Sequence, residues 1–116
     1  MGMIEELQAL GADTADALAR FMGNSGLYEK MLIKLPKVVN ETPVLEYANS
    51  GDFETATSNA HALKGVTGNL SLTPLYVNYT KIVDLYRSGE PEQATKLLVE
   101  TMELQQKFLD VILKYS

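Results

Sequence analysis

The chain has 116 residues, 46% of them hydrophobic and 22% charged, with a net charge of −5 and no cysteine. That fits one folded domain with a single core, and it excludes a disordered chain, a disulfide scaffold, a thiolate metal site and a cysteine nucleophile. No apolar run approaches the roughly 20 residues of a membrane-crossing helix and no Lys/Arg cluster occurs, so neither membrane insertion nor nucleic-acid binding is expected.

The first element is a short amphipathic helix over 3–10, stopped by Gly11. It carries two glutamates and no basic run, so no secretory signal is expected, and with cysteine absent a cytoplasmic location is. Asp13 then offers an N-cap for a helix over 14–22 with Ala17, Leu18 and Phe21 at helical spacing. Gly23, Asn24 and Ser25 interrupt it. A longer helix is predicted over 26–39, with Leu27, Met31, Leu35 and Val38 as its apolar stripe; Pro36 should kink it or end its regular hydrogen bonding.

Thr42-Pro43 suits a helix start, and Asn49-Ser50-Gly51 ends that segment. Asp52 is a strong N-cap for the next helix, 53–70, whose stripe is Phe53, Ala56, Ala60, Leu63 and Leu70, with Thr67 filling one slot. Thr73-Pro74 begins a helix through Leu75, Tyr79, Ile82, Val83 and Tyr86, closed by Ser88-Gly89. Glu90-Pro91 starts the last and longest one, with Leu97, Leu98, Met102, Leu104, Phe108, Ile112 and Tyr115 inside. No period-two pattern competes with these. The turns are short, so the expected fold is all-α: an up-and-down antiparallel four-helix bundle, with one or two short N-terminal helices leading into it or packing across one end.

The 53–70 helix holds AHALKGVTGNLS, and within it the chain's one histidine, His61. Lys64, Gly65 and Gly68 follow at three, four and seven residues, on the same side of a helix. At 100° per residue His61 lies about 120–130° from the apolar stripe, so the imidazole should be exposed on the flank. Each glycine costs a helix about 0.8–1.0 kcal/mol relative to alanine, and a merely solvated face gains nothing from two of them. A bare strip beside the ring lets another protein's backbone come close, and a lysine one turn on can hold an anion there. A neutral imidazole is a competent nucleophile, and a nearby cation disfavours the imidazolium. A metal centre is not expected, since one histidine and no cysteine leave only carboxylates, and Ser58 stands where a di-iron Glu-x-x-His motif needs its glutamate. Neither a nucleophile elbow nor a P-loop is present. The scattered tyrosines are expected to pack at the edge of the core.

His61, Leu63, Lys64, Gly65, Gly68 and Leu70 resemble the signature of histidine-containing phosphotransfer (HPt) domains: His-x-Leu-Lys-Gly, a small residue at +7 and an apolar residue beyond. GADTADALARFMGNSGLYEKML is similar to that family's opening segment, YANSGDFETATSNA to its approach to the motif, and RSGE to the turn closing its third bundle helix, so the resembling stretches are spread from residue 11 to residue 90. The resemblance implies an exposed His61 that accepts a phosphoryl group from a receiver-domain aspartate or returns it, Lys64 as the phosphate-facing cation, and Gly65 and Gly68 as close-approach positions. It further implies no kinase activity of the domain's own. No cofactor is implied beyond Mg²⁺ on the receiver, and the partners would be a response-regulator receiver domain and a hybrid sensor histidine kinase. Ser58 and Asn69 are read as further partner contacts on a monomer, either free-standing or part of a larger sensor kinase. Two positions depart from the family: Ser71 replaces the usual glycine, and Val83 stands where many members place a polar residue that bonds the histidine ring; Asn69 or Thr57 is the substitute expected for that bond. The alternative function is a non-transferring helical module that binds receivers.

Overall fold

The computed structural model describes residues 2–116, and among these there are helices and no strand. In chain order they are α1 (Met3–Ala9), α2 (Thr14–Arg20), α3 (Ser25–Ile33), α4 (Leu35–Asn40), α5 (Leu45–Asn49), α6 (Phe53–Asn69), α7 (Thr73–Arg87) and α8 (Pro91–Lys114). Local chemistry sets many of their ends. Side chains of Asp13, Asn24 and Asp52 accept backbone N–H groups of Asp16, Leu27 and Thr55 at 3.0, 3.0 and 3.1 Å, capping α2, α3 and α6. Pro36, Pro74 and Pro91 sit in first turns, where a missing N–H costs no helical bond.

α6 packs along α7 and α7 along α8, each pair joined by a tight turn and therefore antiparallel. α8, about 36 Å long at 1.5 Å per residue, spans most of the 41 Å long axis, and α1, α3, α4 and α5 all lie against it. The core between them holds Leu63, Leu72, Leu75, Tyr79, Ile82, Val83, Leu98, Phe108 and Ile112, all buried. Buried side-chain polar atoms among the described residues all have partners; Tyr79 and Gln105 bond each other, and the Thr67 and Thr101 hydroxyls return to their own helices.

Pro36 interrupts the helix predicted over 26–39 as expected, and several other expectations need correcting. The helix predicted over 26–39 divides at Lys34 into α3 and α4. The cause is Pro36, which has no N–H for the carbonyl four residues back. In its first half the stripe is also shifted by one position, Leu27 and Met31 facing solvent while Tyr28 and Leu32 are buried; Leu35 is buried as expected. Tyr28 decides that face, because its hydroxyl donates at 2.8 Å to the Leu70 carbonyl at the end of α6. Thr42 closes α4 through a 2.6 Å bond to the Val38 carbonyl, so α5 begins only at Leu45. In α8, Thr101 and Gln105 occupy the core line and leave Met102 and Tyr115 exposed. Phe53, first in its predicted stripe, lies at the margin of the core and stacks on Tyr86 at 5.9 Å.

Candidate functional site

α6 points one face at the core through Ala56, Ala60, Leu63 and Thr67. With those positions buried, helical geometry leaves His61 facing out, and the imidazole is exposed. It opens onto a groove of about 550 Å³ built from three elements. α6 supplies His61, Lys64, Gly65, Gly68 and Asn69; α7 supplies Thr73 and Tyr76; the start and outer face of α2 supply Asp13, Asp16 and Arg20. Neither His61 nor Lys64 hydrogen-bonds or ion-pairs with another described side chain, so both remain available to an incoming group.

The two glycines have different roles. A Cβ on Gly65 would meet nothing within 4 Å, so that stretch of α6 is bare beside the imidazole. A Cβ on Gly68 would lie 2.8 Å from Cδ1 of Tyr76 and 3.0 Å from its Cε1, so the ring of α7 lies on the backbone of α6 there. The expectation of two open close-approach positions therefore narrows to Gly65; Gly68 seats Tyr76, itself a wall of the groove. Asn69 is exposed and lines the groove, whereas Ser58 is exposed one turn before His61 and outside it. Val83 is fully buried in the core. It has no polar atom to offer the ring. Thr57 returns its hydroxyl to the Phe53 carbonyl at 2.6 Å.

The α6–α7 turn and the α1–α2 turn hold each other, and this brings α2 to the site. At the end of α6, Leu72 N–H donates to the Thr67 carbonyl at 2.9 Å and Ser71 N–H to the Gly68 carbonyl at 3.1 Å, the Schellman arrangement. Such a turn needs a left-handed residue, and Ser71 has φ +54°. The serine adds what glycine there could not: its hydroxyl donates to the Asp16 carboxylate at 2.6 Å. Its backbone carbonyl, which any residue would supply, accepts Asp13 N–H at 2.9 Å. Gly11, with φ +107°, lets the neighbouring turn close on Pro74, whose Cγ would lie 2.8 Å from a Cβ at that position.

Asp16 also accepts Arg20 Nε at 2.8 Å. The Ser71 hydroxyl and then the Arg20 guanidinium hold the Asp16 carboxyl below its ordinary range, and Asp16 in turn raises Arg20 above its own. Sequence reading placed none of Asp13, Asp16, Arg20, Thr73 or Tyr76 at the site. Asp16 and Arg20 do stand at i, i+4 on a short helix, but which surface that helix covers is set by long-range contacts.

Beside the groove, and sharing Asn69 with it, lies an apolar hollow of about 230 Å³ walled by Phe21, Met31, Leu35, Val38, Val66 and Leu70. Among the described residues no group of three or more His, Cys, Asp or Glu side chains could hold a metal ion, and no helix is long and apolar enough to cross a membrane. Comparison with known proteins finds no matching family model, no matching curated protein and no matching solved structure.

Proposed function

We propose that this protein is a phosphorelay intermediate: an HPt-like four-helix bundle in which His61 takes a phosphoryl group from a receiver-domain aspartate and passes it on. The observation that carries the proposal is the exposed imidazole in an open groove, with unpaired Lys64 one turn away and bare backbone at Gly65 on the same face. In the transfer, an imidazole nitrogen lone pair attacks the phosphorus of an aspartyl phosphate. The N–P bond forms as the P–O bond breaks, and the electron pair leaves with the receiver's carboxylate. Return of the group reverses those steps. Lys64 offsets charge on the phosphoryl oxygens, the receiver's Mg²⁺ stays with the receiver, and the protein supplies position and charge neutralisation rather than kinase chemistry. Gly65 admits the receiver's backbone, and the apolar hollow next to Asn69 offers it an adjoining contact. Such receivers and their hybrid sensor kinases would place the protein in the cytoplasm.

The test is incubation with a receiver charged by acetyl phosphate. Acid-labile, alkali-stable phosphate on the wild type, missing in His61→Gln, is the expected result. Stable binding to the receiver without labelling would make the protein a non-transferring interaction module instead.

A further inference from the structure

The groove that holds Lys64 has a second cation, Arg20, on its α2 wall, and its setting points to a specific task. The side chain is bound through Nε alone, at 2.8 Å to Asp16. Its two terminal amino groups have no partner among the described residues. Asp16 is itself fixed from two sides: its N–H by the Asp13 side chain at 3.0 Å and its carboxylate by the Ser71 hydroxyl at 2.6 Å. Ser71 belongs to the turn that ends the histidine's own helix, so the Arg20 anchor is tied to α6 rather than carried on a loose flank. A half-exposed ion pair adds little to stability. A guanidinium, however, can hold one carboxylate through Nε and keep its remaining N–H groups free for another anion, which an ammonium cannot do in that fixed geometry.

Charge arithmetic points the same way. A phosphoryl group brings about two negative charges at neutral pH. Lys64 supplies one positive charge, and the Asp13 carboxylate on the groove wall opposes the anion. Asp16 would oppose it too, were its charge not matched by Arg20.

We infer that Arg20, held by Asp16, donates hydrogen bonds from its terminal amino groups to the phosphoryl oxygens carried on His61, from the α2 wall of the groove. Its place in transfer rests on the phosphorelay proposal above. The contact itself does not, and it can be read without any receiver.

Phosphoramidate places a phosphoryl group on an accessible histidine directly, and ³¹P NMR then follows that group's titration. In wild type the second ionisation should fall at lower pH than in Arg20→Ala, by about half a pH unit or more, because a donor to the dianion favours it. Arg20→Lys should behave like the alanine variant, because an ammonium cannot hold Asp16 and the phosphoryl oxygens in the fork's geometry. His61→Gln should give no signal. Equal midpoints in wild type and Arg20→Ala would overturn the inference, as would a wild type that takes no phosphoryl group on His61. Circular dichroism of the folded variants separates these results from unfolding. With a charged receiver, Arg20→Ala should slow labelling about tenfold, the kinetic equivalent of one charge-assisted hydrogen bond. A wild type that labels with phosphoramidate and shows the shift, yet never with a receiver, would sink the relay and leave the Arg20 contact standing.

Discussion

Gly65→Ala and Gly68→Ala make the same chemical change one turn apart on α6, yet the structure separates their outcomes. At Gly65 the new methyl meets nothing within 4 Å. What remains is helix propensity, about 0.8–1.0 kcal/mol in favour of alanine. A gain of that size raises Tm by about 4 °C in a domain of this length. At Gly68 the same gain is opposed by a contact of 2.8 Å with Cδ1 of Tyr76, closer than carbon atoms pack. Overpacking of this kind costs about 1–3 kcal/mol, so the net effect should run from near zero to about 2 kcal/mol of destabilisation. Urea unfolding followed by circular dichroism measures both. Equal stabilisation by the two substitutions would show that Tyr76 does not rest on Gly68 and refute the assignment of different roles. The stabilised Gly65→Ala protein should also take phosphate from a receiver more slowly, because the methyl fills the bare strip. An unchanged rate would leave that glycine without a functional reason.

Leu63→Ala, on the buried face of α6 two residues from His61, should cost about 2–5 kcal/mol in urea unfolding. A loss below 1 kcal/mol would contradict its place in the core. Ser71→Gly trades relief of a positive φ for loss of the hydroxyl bond to Asp16, and the two nearly cancel; Ser71→Ala loses the bond without the relief. The alanine variant should therefore be the less stable by about 1 kcal/mol, and the reverse order would refute the left-handed turn. Burial pushes the Tyr28 hydroxyl up to about 12 and Tyr79 higher still. Because the fold favours their neutral forms, stability should hold up to the ordinary tyrosine value near 10 and fall above it, by about 1.4 kcal/mol per pH unit per tyrosine. Urea midpoints from pH 8 to 11.5 read this slope, Tyr28→Phe should reduce it, and a flat profile would place both hydroxyls in water.

The helical class and the face of α6 were legible because both are local. The period of Ala56, Ala60 and Leu63 fixes which side is buried, and the offset of His61 from that stripe fixes that the ring is exposed. Likewise α7 reads correctly, since Leu75, Tyr79, Ile82, Val83 and Tyr86 form one unambiguous stripe and all are buried. The α3 stripe was misread because Leu27 and Tyr28 are both apolar enough to serve; the choice falls to Tyr28 through a bond to Leu70, 42 residues away. The two glycines look alike in sequence and differ only because Tyr76 crosses one of them. The second wall of the groove was invisible for a related reason. Arg20 and Asp16 are brought to the groove of His61 through Ser71, a contact spanning 55 residues, and no periodicity in the chain encodes which surface a seven-residue helix will cover. Burial pattern follows from nearest neighbours along a helix, whereas the composition of a groove follows from which turns lock together.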